Sequence, residues 1–266
     1  MTALNKVLFP TFGRPTIPAV NIHLSFAYGS AFRLECDDAG VQFEEELARV
    51  LPLDIPHRDR LVKKAGQHLS LVALTNEQMN LTRITAPREA AIKHVYDSVA
   101  PWRHFLRAKQ VLDAGTGAGF PGIPLSIILP DIRFTLAESI QKKARFVDSA
   151  VRSLELQNVN VAAERAEDWV AGDRPEIITA RAVGPTARLI DLFGKALDKG
   201  TCLILYKGPE VESELAEIER QRAHAEVLCR YDLPDDLGTR SLVEIRANRG
   251  ERARPRRQAG WPVRER

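Results

Sequence analysis

At 266 residues the chain has room for one large domain or a domain with an appendage, and 44% hydrophobic with 27% charged residues is the make-up of an ordinary globular protein. A net charge of +3 excludes a polycation, and three scattered cysteines, Cys36, Cys202 and Cys229, without C-x-x-C spacing argue against a zinc site or a disulfide framework, so no metal is expected and a reducing cytoplasm is the simplest setting. No apolar run reaches the length of a membrane span, and Pro10, Arg14, Pro15 and Pro18 interrupt any signal-peptide pattern.

Residues 1–40 show no period and remain unassigned, because prolines and glycines break every candidate element. Residues 41–51 read as a short amphipathic helix ending before Pro52. Leu61, Ala65, His68, Leu69, Val72 and Ala73 share one helical stripe, and Pro87 opens another helix with Ile92, Val95, Tyr96 and Val99 inward. These helices form an N-terminal cap over 41–105, ahead of a core at 106–248. His94 lies in the last of them; a lone helical histidine is more often structural than functional, and nothing nearby in sequence shifts its pKa.

Strands and helices then alternate. Val111-Leu112 ends the first strand, and Phe134–Glu138, Val159–Ala162, Glu176–Ala180 and Cys202–Tyr206 supply four more. Helices are expected with Ala144, Val147, Ala150, Val151 and Leu154 inward, from Thr186 to Leu197, and from Glu210 to about Glu226; two last strands follow at Val227–Tyr231 and Leu242–Arg246. The alternation implies an α/β fold: a doubly wound, mostly parallel sheet with ligands at the carboxyl ends of its strands. Residues 249–266 close the chain as a basic tail; from Arg246 on there are eight arginines against two glutamates.

The stretch Asp113-Ala114-Gly115-Thr116-Gly117-Ala118-Gly119-Phe120-Pro121-Gly122-Ile123-Pro124-Leu125 organises the core. It reads as strand, glycine turn and helix start, with the helix's first N–H groups facing whatever sits over the glycines. Gly117 to Gly122 also scans as the dinucleotide fingerprint G-x-G-x-x-G, which alone is a weak signal; Pro121 and Pro124 suit it poorly. Asp113 followed by G-x-G-x-G is similar instead to the nucleoside-facing loop of S-adenosylmethionine-dependent methyltransferases.

The whole stretch resembles the signature of the 16S ribosomal RNA guanine-N7 methyltransferases, the family once called glucose-inhibited division protein B. Asn80-Leu81-Thr82, His94 and Asp97-Ser98 match its segment before the turn, with Thr75-Asn76 departing from its usual tryptophan-asparagine. The matches run in order over roughly 60–247. The resemblance implies a class I, Rossmann-like methyltransferase core, S-adenosylmethionine as cofactor, and 16S ribosomal RNA or the small ribosomal subunit as partner. Its implied cofactor contacts are Gly115 and Phe120 in the turn, Glu138, Ala166, Glu167 and Arg181.

The residues themselves say less. Glu138 ends the second strand, where a carboxylate can accept both ribose hydroxyls; the alternative is an acid favoured by a helix N-terminus. Glu164, Glu167 and Asp168 alone read as a solvated acidic turn, and the resemblance lifts Ala166-Glu167 to adenine contacts. Arg181 ends an apolar strand and needs an anion: the cofactor carboxylate or an RNA phosphate, ahead of a structural salt bridge. Lys207 either holds RNA or rims the cleft. Lys142, Lys143, Arg145 and Arg152 share one helix and offer phosphate contacts, as does the tail, which serves equally well as a solubilising terminus. No acid–base or nucleophile constellation stands out. Guanine N7 carries an in-plane lone pair and no proton, so a positioning mechanism needs none. Competing readings are a small-molecule methyltransferase, a non-catalytic RNA-binding or ribosome-assembly factor, and, more distantly, a nicotinamide dehydrogenase.

Overall fold

The computed structural model describes residues 30–218 and 223–248. Residues 1–29 and the basic tail at 249–266 lie outside the described residues. One seven-stranded sheet runs through the molecule in the order β3-β2-β1-β4-β5-β7-β6. The strands are β1 (Gln110–Ala114), β2 (Arg133–Ala137), β3 (Val159–Ala162), β4 (Ile177–Arg181), β5 (Cys202–Lys207), β6 (Ala223–Asp232) and β7 (Thr239–Ala247). All neighbouring pairs from β3 across to β5 are parallel, and β7 alone is reversed, pairing antiparallel with both β5 and β6. This is the doubly wound α/β sheet expected from the alternation of elements.

Successive strand residues serve opposite faces, as the pleat requires. Val111, Phe134, Leu136, Ile177 and Ile204 enter one core, while Leu112, Ala137, Ile178, Leu203 and Leu205 enter the other. The first core is covered by α5 (Gly122–Ile128) and α6 (Gln141–Ser153), together with the N-terminal helices α1 (Ser30–Val50) and α2 (Arg58–Met79). The second lies under α7 (Ala166–Gly172), α8 (Thr186–Asp198) and α9 (Val211–Ile218). Phe43, Leu47, Leu61, Leu69 and Val95 thus share one apolar core with the sheet.

Several boundaries differ from the sequence reading. Helix α1 begins at Ser30 rather than Val41 and runs through Gly40; a single glycine costs a helix only about 1 kcal/mol and does not stop it. The acidic turn at Glu164–Asp168 is the start of α7, with Glu167 and Asp168 in the first turn, where the helix dipole favours carboxylates. The helix expected to reach Glu226 is α9 alone, and by Ala223 the chain is in β6, where pairing with β7 overrides helix propensity. The helix opened by Pro87 is continuous but uneven. It is α at Pro87–Ala90 (α3), π over Ala91–Tyr96, and α again at Asp97–Val99 (α4). Such π insertions are frequent at functional sites.

Candidate functional site

The carboxyl ends of β1, β2, β3, β4 and β5 lie at one edge of the sheet, and the order reverses on either side of β1, the place where α/β sheets bind ligands. There β1 runs into the glycine turn. Gly115 has φ +69°, and a Cβ on it would stand 3.1 Å from Val183 Cγ2. The N–H groups of Gly115 and Thr116 donate to the Ala137 carbonyl at 3.0 and 3.1 Å, which ties the turn to β2.

Asp113 braces this turn from beneath. Its carboxylate is buried; Oδ2 accepts the Thr116 hydroxyl at 2.6 Å and the Gly122 N–H at 2.9 Å. Burial raises its pKa to about 6, although both hydrogen bonds pull it down. The closeness of Asp113 explains Gly122. A Cβ there would lie 2.7 Å from Asp113 Oδ2 and 2.1 Å from Leu136 Cδ2.

Glu138 is placed where the sequence predicts, at the end of β2. Its two oxygens accept the Gly117 N–H at 3.2 Å and the Ile140 N–H at 2.8 Å. It therefore links the turn to the segment leading into α6, and each oxygen keeps a lone pair for a hydroxyl donor. Ala166 and Glu167 open α7 just beyond β3; Ala166 is buried and Glu167 half-buried, 3.6 Å from Arg165.

Phe120 is buried behind the turn. Its ring stacks on His94, with centroids 4.6 Å apart and planes at 10°, and packs tilted against His68 at 4.7 Å. His68 Nε2 donates to the Ala118 carbonyl at 2.8 Å, so α2 grips the turn directly. His94 Nε2 is 3.0 Å from the Thr82 hydroxyl. Burial lowers the pKa of His68 to about 4; burial and then the Arg181 charge lower that of His94 to about 3. The expectation that nothing local shifts His94 is thereby corrected. After burial, its perturbers are Arg181 and His68, distant in sequence, and to a smaller extent the adjacent Lys93. His94 is neutral and packed, in keeping with a structural role.

Arg181 ends β4, where the sequence places it. Its Nη1 donates to the Lys93 carbonyl at 3.1 Å and to Asp97 Oδ2 at 3.2 Å. Its partner within the chain is thus a buried carboxylate, bonded through Nη1 alone among the described residues. Asp97, 2% exposed, also accepts Arg240 Nε at 3.3 Å through Oδ2 and the Tyr231 hydroxyl at 2.9 Å through Oδ1. Lys207 pairs with Glu214 at 2.9 Å. These groups border a cleft of about 440 Å³, lined among others by Lys93, His94, Asp97, Arg181, Lys207 and Arg240.

The candidate residues therefore divide. Gly115, Glu138, Ala166 and Glu167 follow the ends of β1, β2 and β3, Phe120 lies beneath the turn, and Arg181 stands in the neighbouring cleft. Val183 joins the two, since it faces Gly115 and also lines the cleft. Arg240 was not anticipated. A search of carboxyl strand ends misses it because β7 is reversed, which places its first residues beside the end of β5, with Ser241 opposite Lys207. Among the described residues no group of three or more His, Cys, Asp or Glu side chains is placed to hold a metal, and no helix is long and apolar enough to cross a membrane.

Residues 61–230 match the family model GidB, described as rRNA small subunit methyltransferase G. The chain belongs to this family. Ribosomal RNA small subunit methyltransferase G of Solibacter usitatus is 55% identical over 208 residues, which covers 77% of this chain and 99% of the relative. The protein of the same name from Sorangium cellulosum is 41% identical over 192 residues, 68% of this chain and 79% of that one. Among solved structures, magnesium protoporphyrin IX methyltransferase from Synechocystis PCC 6803 aligns with a TM-score of 0.49 at 11% identity over 68% of this chain and 97% of that chain. The family is the one that the turn and its flanking segments resemble, and the chain carries the mostly parallel α/β sheet expected for it.

Proposed function

We propose that the chain is an enzyme that transfers a methyl group from S-adenosylmethionine to N7 of a guanine in small-subunit ribosomal RNA, in the cytoplasm. Family membership over 61–230 carries this reading, and the geometry of the turn supports the cofactor. Gly115 leaves space at the end of β1 that a Cβ would crowd against Val183. Glu138, buried with lone pairs to spare, suits ribose hydroxyls. The first turn of α7, with Ala166 and Glu167, suits the adenine edge. Phe120 and the two histidines fix the turn from behind.

When bound, the cofactor supplies an electrophilic methyl group on a sulfonium. The chain's own contribution is to place and orient. N7 has its lone pair in the ring plane and no proton, so no residue need act as a base, and positive charge moves onto the purine as transfer proceeds. Orientation of this kind is worth up to about 7–11 kcal/mol in favourable cases. Guanine N7 faces the deep, narrow major groove of A-form RNA, so the target base must stand in a loop or bulge or be flipped out. Exposed Lys142 and Arg145 at the start of α6 offer phosphate contacts close to Glu138 in the chain.

The test is incubation of the purified protein with labelled S-adenosylmethionine and unmodified small ribosomal subunits, with chemical mapping of 7-methylguanine. A label on one guanine N7 is expected; no label, or label on small molecules only, refutes the proposal.

A further inference from the structure

Gly119 of the turn packs against the N-terminal cap. A Cβ on it would stand 3.1 Å from His68 Cε1 and 2.5 Å from Ile123 Cδ1, at a φ of +98°. Its missing side chain makes room for an imidazole carried on α2. That ring is fully buried, 50 residues ahead of the carbonyl it meets, with Nε2 2.8 Å from the oxygen of Ala118. A carbonyl oxygen only accepts, so Nε2 carries the proton. Burial keeps the ring neutral, so Nδ1 is bare, and it has no hydrogen-bond partner among the described residues. A buried polar atom left unmet costs stability that an apolar side chain would keep. Packing alone therefore favours an apolar residue at this place on α2. What the imidazole adds is the bond from Nε2.

That bond falls on the residue of the turn with a donor to spare. The N–H groups of Gly115 and Thr116 go to the Ala137 carbonyl and that of Gly117 to Glu138, while those of Gly119 and Phe120 go to the Thr116 carbonyl at 2.9 and 3.0 Å. From Gly115 to Phe120, the Ala118 N–H alone has no acceptor among the described residues. The peptide that follows it is closed on both sides: its oxygen accepts His68, and its nitrogen, that of Gly119, donates to Thr116. Phe120 packs against both imidazoles, with centroids 4.7 Å from His68 and 4.6 Å from His94. His68 thus holds the residue whose N–H remains for a ligand at the carboxyl ends of the strands.

We infer that His68 is a positioning residue for S-adenosylmethionine: its Nε2–H fixes the carbonyl of Ala118 and so sets the free Ala118 N–H as a donor to the bound cofactor. The N-terminal cap thereby belongs to the cofactor site as well as covering the sheet. The inference rests on the proposed function for its ligand, and it places the effect of His68 on cofactor affinity, not on the RNA. A glutamine amide reaches as far as Nε2 and can replace the bond. An asparagine amide reaches only as far as Nδ1, and leucine has no donor.

The experiment is calorimetry of S-adenosylmethionine with the full chain and its His68→Leu, His68→Asn and His68→Gln variants, each checked for folding by circular dichroism. Steady-state methylation of unmodified small ribosomal subunits at saturating cofactor accompanies it. His68→Leu and His68→Asn are expected to raise the cofactor Kd about ten-fold, the loss of one buried hydrogen bond, and His68→Gln to restore most of that affinity. KM for the particles is expected to stay within about two-fold throughout. A Kd that leucine and glutamine move equally overturns the inference, as does a lowered melting temperature with Kd unmoved, the mark of a residue that only packs. A particle KM that rises more than the cofactor Kd overturns it too. Should the variants fail to fold, nitrogen-15 spectra of the wild-type histidines carry the test. A neutral imidazole in the Nε2–H form whose signals shift on addition of S-adenosylmethionine is expected, and the lack of any such response overturns the inference. A wild-type chain that binds no S-adenosylmethionine refutes the proposed function instead, so the two failures are distinct.

Discussion

Asp113 braces the glycine turn through Thr116 and Gly122, 3 and 9 residues away, whereas Asp97 holds the cleft through Arg181, Tyr231 and Arg240, 84, 134 and 143 residues away. Both carboxylates are buried and both position their neighbours, Asp113 through Oδ2 alone and Asp97 through both oxygens. The first works inside a single strand–turn–helix unit, where the available space is set by Cβ atoms and backbone. The second ties the N-terminal helices to β4, β6 and β7, and its geometry depends on the whole sheet. The turn is therefore expected to respond mainly to volume and the cleft mainly to charge.

The sharpest way to break that contrast is Gly115→Trp. A side chain at φ +69° and 3.1 Å from Val183 fills the turn, so calorimetry should show cofactor binding abolished while circular dichroism still reports a folded sheet. Retained binding would remove Gly115 from the site. Next in size is Arg181→Ala. Methylation should fall by about 100-fold, while stability drops by only about 1–3 kcal/mol because Arg240 and Tyr231 still satisfy Asp97. Equal loss of activity and stability would make Arg181 purely structural.

Gly122→Ala tests volume without touching charge. The added methyl would meet Leu136 and Asp113 at 2.1 and 2.7 Å, so a loss of about 1–3 kcal/mol is expected in urea denaturation. An unchanged midpoint would show that the turn yields.

The buried titratable groups give a pH test of similar size. The ordinary 6.5 of His68 and His94 is lowered to about 4 and about 3, so the unfolded chain takes up protons that the folded chain refuses. Their contribution to stability is present above 6.5 and is lost as pH falls toward those values. Asp113 runs the other way: raised from 3.8 to about 6, it protonates first in the folded chain, and stability is gained as pH falls through that window. Two histidines outweigh one aspartate. Stability should therefore fall by about 1–3 kcal/mol between pH 7 and pH 5, and His94→Gln should flatten the slope. A flat or rising profile would show that the histidines are not held neutral.

The smallest effect belongs to the exposed surface of α6. Lys142→Ala or Arg145→Ala should weaken RNA binding only a few-fold and lower the salt slope by about one phosphate contact each. No change in the slope would place the RNA elsewhere.

The strand–turn–helix at Asp113–Leu125 and the alternating pattern after it were legible from sequence because their determinants are local: pleat alternation, helical stripes and glycine spacing within one unit. The positions of Glu138 and Arg181 at strand ends followed from the same patterns. What α7 and the start of β6 became was not legible. A dipole-favoured first turn and a cross-strand ladder with β7 prevailed over local composition there. The partner of Arg181 and the presence of Arg240 also lay out of reach. An arginine's need for an anion is written in its chemistry, but which anion satisfies it depends on distance. Only the folded sheet, with β7 reversed, brings Asp97, Tyr231 and Arg240 to the end of β4. By itself the sequence determined the class of sheet and the turn at its ligand edge, since both arise from neighbours along the chain. The tertiary structure alone decided the shape and charge of the cleft beside that turn, since electrostatic pairing acts through space and not along the sequence.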